Sequence, residues 1–166
     1  MNRGFSLPEL LLGTSLLALL AGVGFGSATE TLARQRVEAA SRRLEQGLEA
    51  ARAEAERRRA PCGLSLAADG WASRSQGTLP SCLEHDAPLH EGLFGGGDVQ
   101  VRHNLPAQLR VTANGLIIDG GTVVISAQGS GLKRCLVLAL PLGVVRMGQY
   151  ADNGTGAVNS SACLPT

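Results

Sequence analysis

The feature that most constrains this chain is a long apolar segment close to its amino terminus. Residues 10–29 contain no charged side chain, and a single carboxylate, Glu9, comes directly before them. Twenty residues in a helix span about 30 Å, which matches the hydrocarbon core of a bilayer. The sequence therefore predicts a membrane helix. An anchor alone does not explain Glu9, because a carboxylate costs about 2.5–3.5 kcal/mol at the bilayer centre and less toward the interface.

The residues before this segment predict how it is processed. A secretory signal places its cleavage site after the apolar segment, which is then lost. Here the basic leader, residues 1–4, ends at a plausible cleavage point between Gly4 and Phe5, before the segment. The apolar helix is therefore expected to stay in the mature protein.

The string GFSLPEL, residues 4–10, resembles the class III signal of type IV pilins and pseudopilins. This resemblance implies cleavage at Gly4–Phe5 by a prepilin peptidase and N-methylation of the new terminal residue, Phe5. It also implies that Glu9 pairs with the free amine of a neighbouring subunit during assembly. The alternative is that Glu9 only stabilises the positive start of its helix. Pro8 departs from the family's usual apolar residue, but the first helical turn tolerates proline.

Beyond Thr29 the pattern changes to that of an amphipathic helix. Apolar residues recur at spacings of three and four, and opposite charges such as Glu54 and Arg58 stand four apart. The apolar positions are Ala33, Val37, Ala40, Leu44, Leu48, Ala51 and Ala55. We predict one continuous helix of about 80 Å that Pro61 ends. Residues 57–59, three arginines, are interpreted as a cationic helix end in preference to a DNA contact.

After Pro61 the sequence predicts short strands joined by tight turns. Asn114-Gly115 is a strong hairpin signal. Such a series predicts an antiparallel sheet, or two, packed on the helix in an α+β fold. The run from residue 65 to 97 is expected to be irregular. The expected strands are 63–66, 99–103, 109–113, 116–119, 122–126, 135–140 and 144–147.

Four cysteines follow the membrane segment, where export would place them in an oxidising compartment. Three pairings are possible. We favour Cys62–Cys82 and Cys135–Cys163, because each closes a short local loop. Each bond is expected to contribute about 3 kcal/mol by restricting the unfolded chain.

The whole arrangement is similar to the GspH/FimT group of minor pilins and pseudopilins. The segment LEAARAEA, residues 48–55, resembles that group's L-x-x-A-R-x-E-A, and Trp71 and the Cys-strand-Gly-strand ending over 135–146 support it. The resemblance implies a leader (1–4), an assembly helix (5–29), its amphipathic continuation (30–60) and a periplasmic β-rich domain (61–166). It implies a structural, non-enzymatic subunit of a type IV pilus or a type II secretion filament, anchored in the bacterial inner membrane. Its partners would be other pilins or pseudopilins.

Some members of this group bind DNA for natural transformation through a G-R-x-R stretch. The corresponding residues are 143–146, Gly-Val-Val-Arg, so that only Arg146 remains. Lys133 and Arg134 are the other candidate DNA contacts, on the hypothesis that they face the same way as Arg146 across the hairpin. A DNA-binding minor pilin is the alternative function, less favoured because few phosphate contacts are available and the net charge is only +1.

Other chemistry was weighed and not favoured. Cys82, His85 and His90 have loosely zinc-like spacing, but a disulfide at Cys82 competes with metal binding. The run 95–98, Gly-Gly-Gly-Asp, lacks the lysine of a phosphate-binding loop, and Ser130 is not in a nucleophile elbow. We therefore expect no catalytic site, metal or cofactor.

Overall fold

A computed structural model shows a long helix followed by a β-rich domain. The structure describes residues 6–74, 76–89, 99–140, 143–151 and 156–165, and the side chains of residues 21–27 lie outside this description. The helix, α1, covers Leu7–Arg58, 52 residues, and is about 78 Å long. It begins after Ser6, with a proline in its first turn, and ends at Arg59, whose φ of 50° is left-handed. The predicted continuous helix is confirmed.

Two antiparallel sheets follow the helix, which makes the predicted α+β fold correct. The smaller sheet has the strand order β3-β2-β1-β5 and the larger one β4-β6-β7-β8-β9. The strands are β1 (Cys62–Ala67), β2 (Gly70–Ala72), β3 (Ala87–Pro88), β4 (Val99–His103), β5 (Leu109–Val111), β6 (Gly121–Ala127), β7 (Lys133–Ala139), β8 (Val144–Tyr150) and β9 (Cys163–Pro165). A short 3₁₀ helix, Ser160–Ala162, leads into β9.

The main core lies between the carboxyl half of α1 and the inner faces of the sheets. The predicted apolar stripe, from Ala33 to Ala55, is buried throughout. Alternate residues of β6 and β7, such as Val123, Ile125 and Leu136, face it. The period of the stripe therefore determines which side of the helix the sheets cover.

A second, smaller core lies on the outer face of the larger sheet. Val124, Cys135, Val137 and Tyr150 form it together with Cys163, and Val158 and Ala162 pack against it. The hydroxyl oxygen of Tyr150 accepts a hydrogen bond from the backbone N–H of Asn159, at 3.2 Å. The last described residues, 156–165, thus form a strap across this face.

Both predicted disulfides are present. Cys62–Cys82 joins the start of β1 to a loop, and Cys135–Cys163 holds the strap against β7. The second bond passes close to Gly148 on β8, where an added Cβ would lie 3.2 Å from the Cys163 sulfur. Glycine at this position leaves the room that the bond and β9 occupy.

Two expectations about the sheets were wrong. The segment 116–119 is not a strand, since among its described residues only Ile117 forms a bridge, with Val111. The ladder breaks because the backbone N–H of Arg110 donates to the Asp119 carboxylate, at 2.7 Å, instead of to a strand carbonyl. The run 65–97, expected to be irregular, contains the end of β1 together with β2 and β3.

Candidate functional site

The amino-terminal half of α1 is the first part of the candidate site. Glu9 lies in the first helical turn with an exposed side chain. It lines a shallow cavity of about 240 Å³ with Leu10, Gly13, Thr14 and Leu17. A carboxylate in this position complements the positive end of the helix dipole and stands beside an apolar groove. Gly4 and Phe5, the predicted cleavage site, lie outside the described residues.

The apolar side chains on both sides of Glu9 are exposed. Between 58% and 74% of each leucine side chain from residue 7 to 20 is accessible. These residues are Leu7, Leu10, Leu11, Leu12, Leu16, Leu17, Leu19 and Leu20. Nothing in the described part of the chain covers them, so they are available to surroundings outside it.

The predicted membrane segment, residues 10–29, includes positions 21–27, whose side chains are outside the description. Within the residues that are described, no helix is sufficiently long and apolar to cross a membrane.

The carboxyl half of α1 is fixed to the β-domain through Trp71. Its indole N–H donates to the backbone carbonyl of Leu44, at 2.8 Å, and the residue is only 1% exposed. The ring lies directly against Gly47, where any Cβ would collide with it. Trp71 therefore packs as an anchor that fixes the position of the helix along its axis relative to the β-domain.

Two arginines add polar links between the helix and the larger sheet. The Nη2 of Arg52 donates to the carbonyl of Gly143 at 2.6 Å, and its Nη1 pairs with Glu49 at 3.0 Å. Arg134, on β7, donates from Nε to the Glu38 carboxylate at 2.8 Å. Each pair holds a turn of the helix against a different part of the sheet.

The three candidate DNA contacts do not come together. Successive strand residues point to opposite faces, so Lys133 and Arg134 are separated by the sheet. Arg134 faces the helix, whereas Arg146 is on the outer face, with its Nη2 3.4 Å from the carbonyl of Ser160. The hypothesis of a shared face for all three was wrong, and the strand alternation would have revealed this. DNA binding stays the less favoured alternative.

The arginine run at the helix end is engaged with the helix. Glu54 forms ion pairs with Arg57 and Arg58. The hydrogen bond from Arg57 is the main cause that lowers the pKa of Glu54 to about 2. Arg59 supplies the left-handed cap, so the sequence interpretation as a cationic helix end agrees with this geometry.

The described residues among the zinc candidates do not form a site. Cys82 is bonded to Cys62. The carboxylate of Asp86, which stands between the two candidate histidines in the sequence, accepts a hydrogen bond from the Ser73 N–H at 2.6 Å, which lowers its pKa. His90 lies outside the described residues. In the ranges that the structure describes, no group of three or more His, Cys, Asp or Glu side chains is placed to hold a metal.

The packed half of α1 and most of the β-domain match a known protein family. The model of one family, described as type II transport protein GspH, matches residues 40–141. No curated protein and no solved structure matches the chain. The matched residues run from the packed half of α1 to the turn after β7, and they cover more than half of the chain. This agrees with the resemblance in the sequence and with a structural role as a pseudopilin or minor pilin in type II secretion or a pilus, in association with other such subunits. The chain belongs to the GspH family of pilin-like proteins.

Proposed function

We propose that the chain is inserted in the bacterial inner membrane by its amino-terminal helix, with the β-domain in the periplasm. A prepilin peptidase cuts it between Gly4 and Phe5, Phe5 is N-methylated, and the subunit enters a type II secretion filament or a type IV pilus through this helix. One observation carries the proposal. The leucines of the first half of α1 are exposed, whereas the second half has its partner in the β-domain.

The physical argument concerns where those leucines find an apolar environment. Burying a leucine side chain is worth about 1.5–3 kcal/mol, so eight exposed ones favour association strongly. Lipid satisfies them in the waiting subunit, and the helices of neighbouring subunits satisfy them in the filament. Both environments accept the same apolar side chains, which allows the subunit to move from one to the other.

Glu9 gives this transfer its direction. An ionised carboxylate beside lipid is unfavourable, and an amine at the next subunit's Phe5 would neutralise it. The exposed carboxylate beside a groove of Leu10, Gly13 and Leu17 supports this proposal, because an approaching helix terminus could reach it. Pairing then favours the filament over the solitary subunit.

The disulfides support the periplasmic location of the β-domain. Both bonds are buried, and such bonds form and persist in oxidising compartments. Each bond also fixes a segment that has little core of its own. Cys62–Cys82 holds the loop around residue 82, and Cys135–Cys163 holds the strap at residues 156–165.

Cleavage is tested by Gly4→Leu, which should leave the full precursor in the membrane. The mass of the purified protein and the sequence of its first residues report the outcome. An unsubstituted chain that does not begin at Phe5 would contradict the proposed cleavage, and a Gly4→Leu chain that still begins at Phe5 would contradict the requirement for Gly4.

Assembly is tested by Glu9→Ala, which should keep membrane insertion but remove the chain from sheared filaments. Glu84→Ala is the matched control, because Glu84 is a 68% exposed carboxylate on the β-domain, 3.7 Å from Arg58. Filament content is measured by immunoblot of the sheared and membrane fractions. Equal filament content for Glu9→Ala and Glu84→Ala would contradict the assembly role of Glu9.

A further inference from the structure

A groove runs along one flank of α1, where the helix meets the loop before β6 and the turn before β8. It encloses about 650 Å³. Its helix wall carries Glu45, Glu49 and Glu56, and its β wall carries Leu116 and Val144. We call these five residues the acidic groove.

The acidic groove presents two kinds of exposed group, carboxylates and apolar side chains. Glu49 is paired with Arg52, but Glu45 and Glu56 have no ion pair or hydrogen bond to any described residue. The side chains of Leu116 and Val144 are 51% and 56% exposed. Adjacent exposed apolar and charged groups are typical of a surface that binds another protein.

A complementary surface lies on the same helix, nearer its amino terminus. Leu32 is 51% exposed, and Arg36 and Arg42 are exposed without a partner among the described residues. The only acid in the segment 32–43, Glu38, is held by Arg134. We call Leu32, Arg36 and Arg42 the basic face; it offers an apolar side chain and free positive charges.

We propose that the acidic groove of one chain receives the basic face of a second copy. This rests on the proposed filament role, because both helices must run in the same direction from one membrane. The two surfaces consist of different residues, so the contact is head-to-tail. A contact of this kind does not close into a symmetric dimer, and when the copies are also staggered along the axis it extends into an open helical assembly.

The positions along the helix define the stagger between the two copies. The middle of the basic face and the middle of the acidic groove are about 13 residues apart, or about 20 Å. Glu9 and Phe5 are four residues apart, or about 6 Å along a helix. A single neighbour cannot satisfy both offsets, so the groove binds a more distant subunit than the one whose amine meets Glu9.

The test uses full-length chains in cells that produce the filament. A photoreactive benzophenone amino acid replaces Leu116 in one tagged copy, and a second copy carries a different tag. After illumination, we expect a crosslinked species with both tags, in which mass spectrometry maps the attachment to residues 32–43 of the second copy.

Charge reversal makes the test specific. Glu45→Lys with Glu56→Lys in the first copy should lower the crosslink about tenfold, because like charges then face each other. Arg36→Glu with Arg42→Glu in the second copy should restore it. Asp69→Lys with Glu84→Lys is the matched control, since both positions are exposed and lie outside the groove; it should leave the crosslink unchanged.

Three outcomes would overturn the inference: no crosslink between copies, attachment outside residues 32–43, or no rescue by the reversed pair. Each is separable from failure of the proposed function, because filament content is measured in the same cells. A chain that is present in filaments without this crosslink refutes the groove contact alone. A chain absent from filaments refutes both.

Discussion

The two halves of α1 have similar helical geometry and opposite surroundings. In the first half, the described side chains from Ser6 to Leu20 are all exposed, although many are leucines. In the second half, the stripe from Ala33 to Ala55 is buried under two sheets. Small residues predominate in the buried stripe and large ones in the exposed half. The comparison teaches that apolar content alone does not decide burial within a chain. What decides it is whether a partner surface fits.

The largest expected difference between the halves comes from truncating one leucine in each. Leu48→Ala should lower the free energy of unfolding by about 2–5 kcal/mol, because Leu48 is fully buried and leaves a cavity. Leu16→Ala should leave it unchanged, since that side chain is 59% exposed. Urea unfolding of the full chain in detergent micelles, followed by fluorescence of the single tryptophan, Trp71, measures both. Equal losses would contradict the contrast.

Glycine substitutions sharpen the comparison at a second pair of sites. Gly47→Ala should destabilise the domain by about 1–3 kcal/mol, because the new methyl group collides with Trp71 and overpacks the core. Gly13→Ala meets nothing within 4 Å and should be neutral or slightly stabilising, since alanine favours helix by up to about 1 kcal/mol. The same urea titration reports both variants. A stabilised Gly47→Ala would show that the indole moves aside freely.

A helix-to-sheet ion pair and a solvent-exposed ion pair on the amphipathic part of α1 should differ in the same direction, with smaller effects. Arg134→Gln removes the partner of Glu38 in a pair whose side chains are 22% and 35% exposed, and should cost about 1 kcal/mol. Arg34→Gln breaks the Glu30 pair, 60% and 51% exposed, and should cost at most about 0.5 kcal/mol. Thermal unfolding of both variants at low salt compares them. A larger loss for Arg34→Gln would reverse the expected order.

The smallest effect concerns pH at the carboxyl end of α1. Hydrogen bonds from Arg57 and Arg58 lower the pKa of Glu54 from 4.5 to about 2. Because the folded pKa is depressed, this contribution to stability is present above pH 4.5 and is lost as the pH falls toward 2. Titration of the Glu54 side-chain carbon by NMR should give a midpoint near 2. Arg57→Gln should move that midpoint upward, and an unchanged midpoint would contradict the assigned cause.

The helix could be predicted from the sequence because its apolar residues recur with a single helical period. The spacing of Ala33, Val37, Ala40 and Leu44 predicts both the structure and its buried side, and Pro61 marks the end. Strands β4, β6, β7 and β8 were found with small shifts of their bounds for a similar reason, since alternation and tight turns are local signals. The disulfide pairing followed from short loops.

Other features depend on distant contacts and leave no local signal. The strands β2, β3 and β9 have two or three residues each and exist through their neighbours. β2 pairs with β1, β3 with β2, and β9 with β8. The fixing of Arg52 to the Gly143 carbonyl joins residues 91 positions apart. The acidic groove was missed because its two walls come from α1 and from two separate turns.

The fit between Trp71 and the helix has a mechanical consequence. A slip of α1 by one turn, about 5.4 Å, would replace Gly47 beneath the indole with Arg43 or Ala51, whose Cβ atoms the ring cannot accept. The slip would also break the bond from the indole to the Leu44 carbonyl. The helix and the β-domain therefore move as one body along the helix axis. An axial force that a growing filament exerts on α1 is therefore transmitted directly to the β-domain.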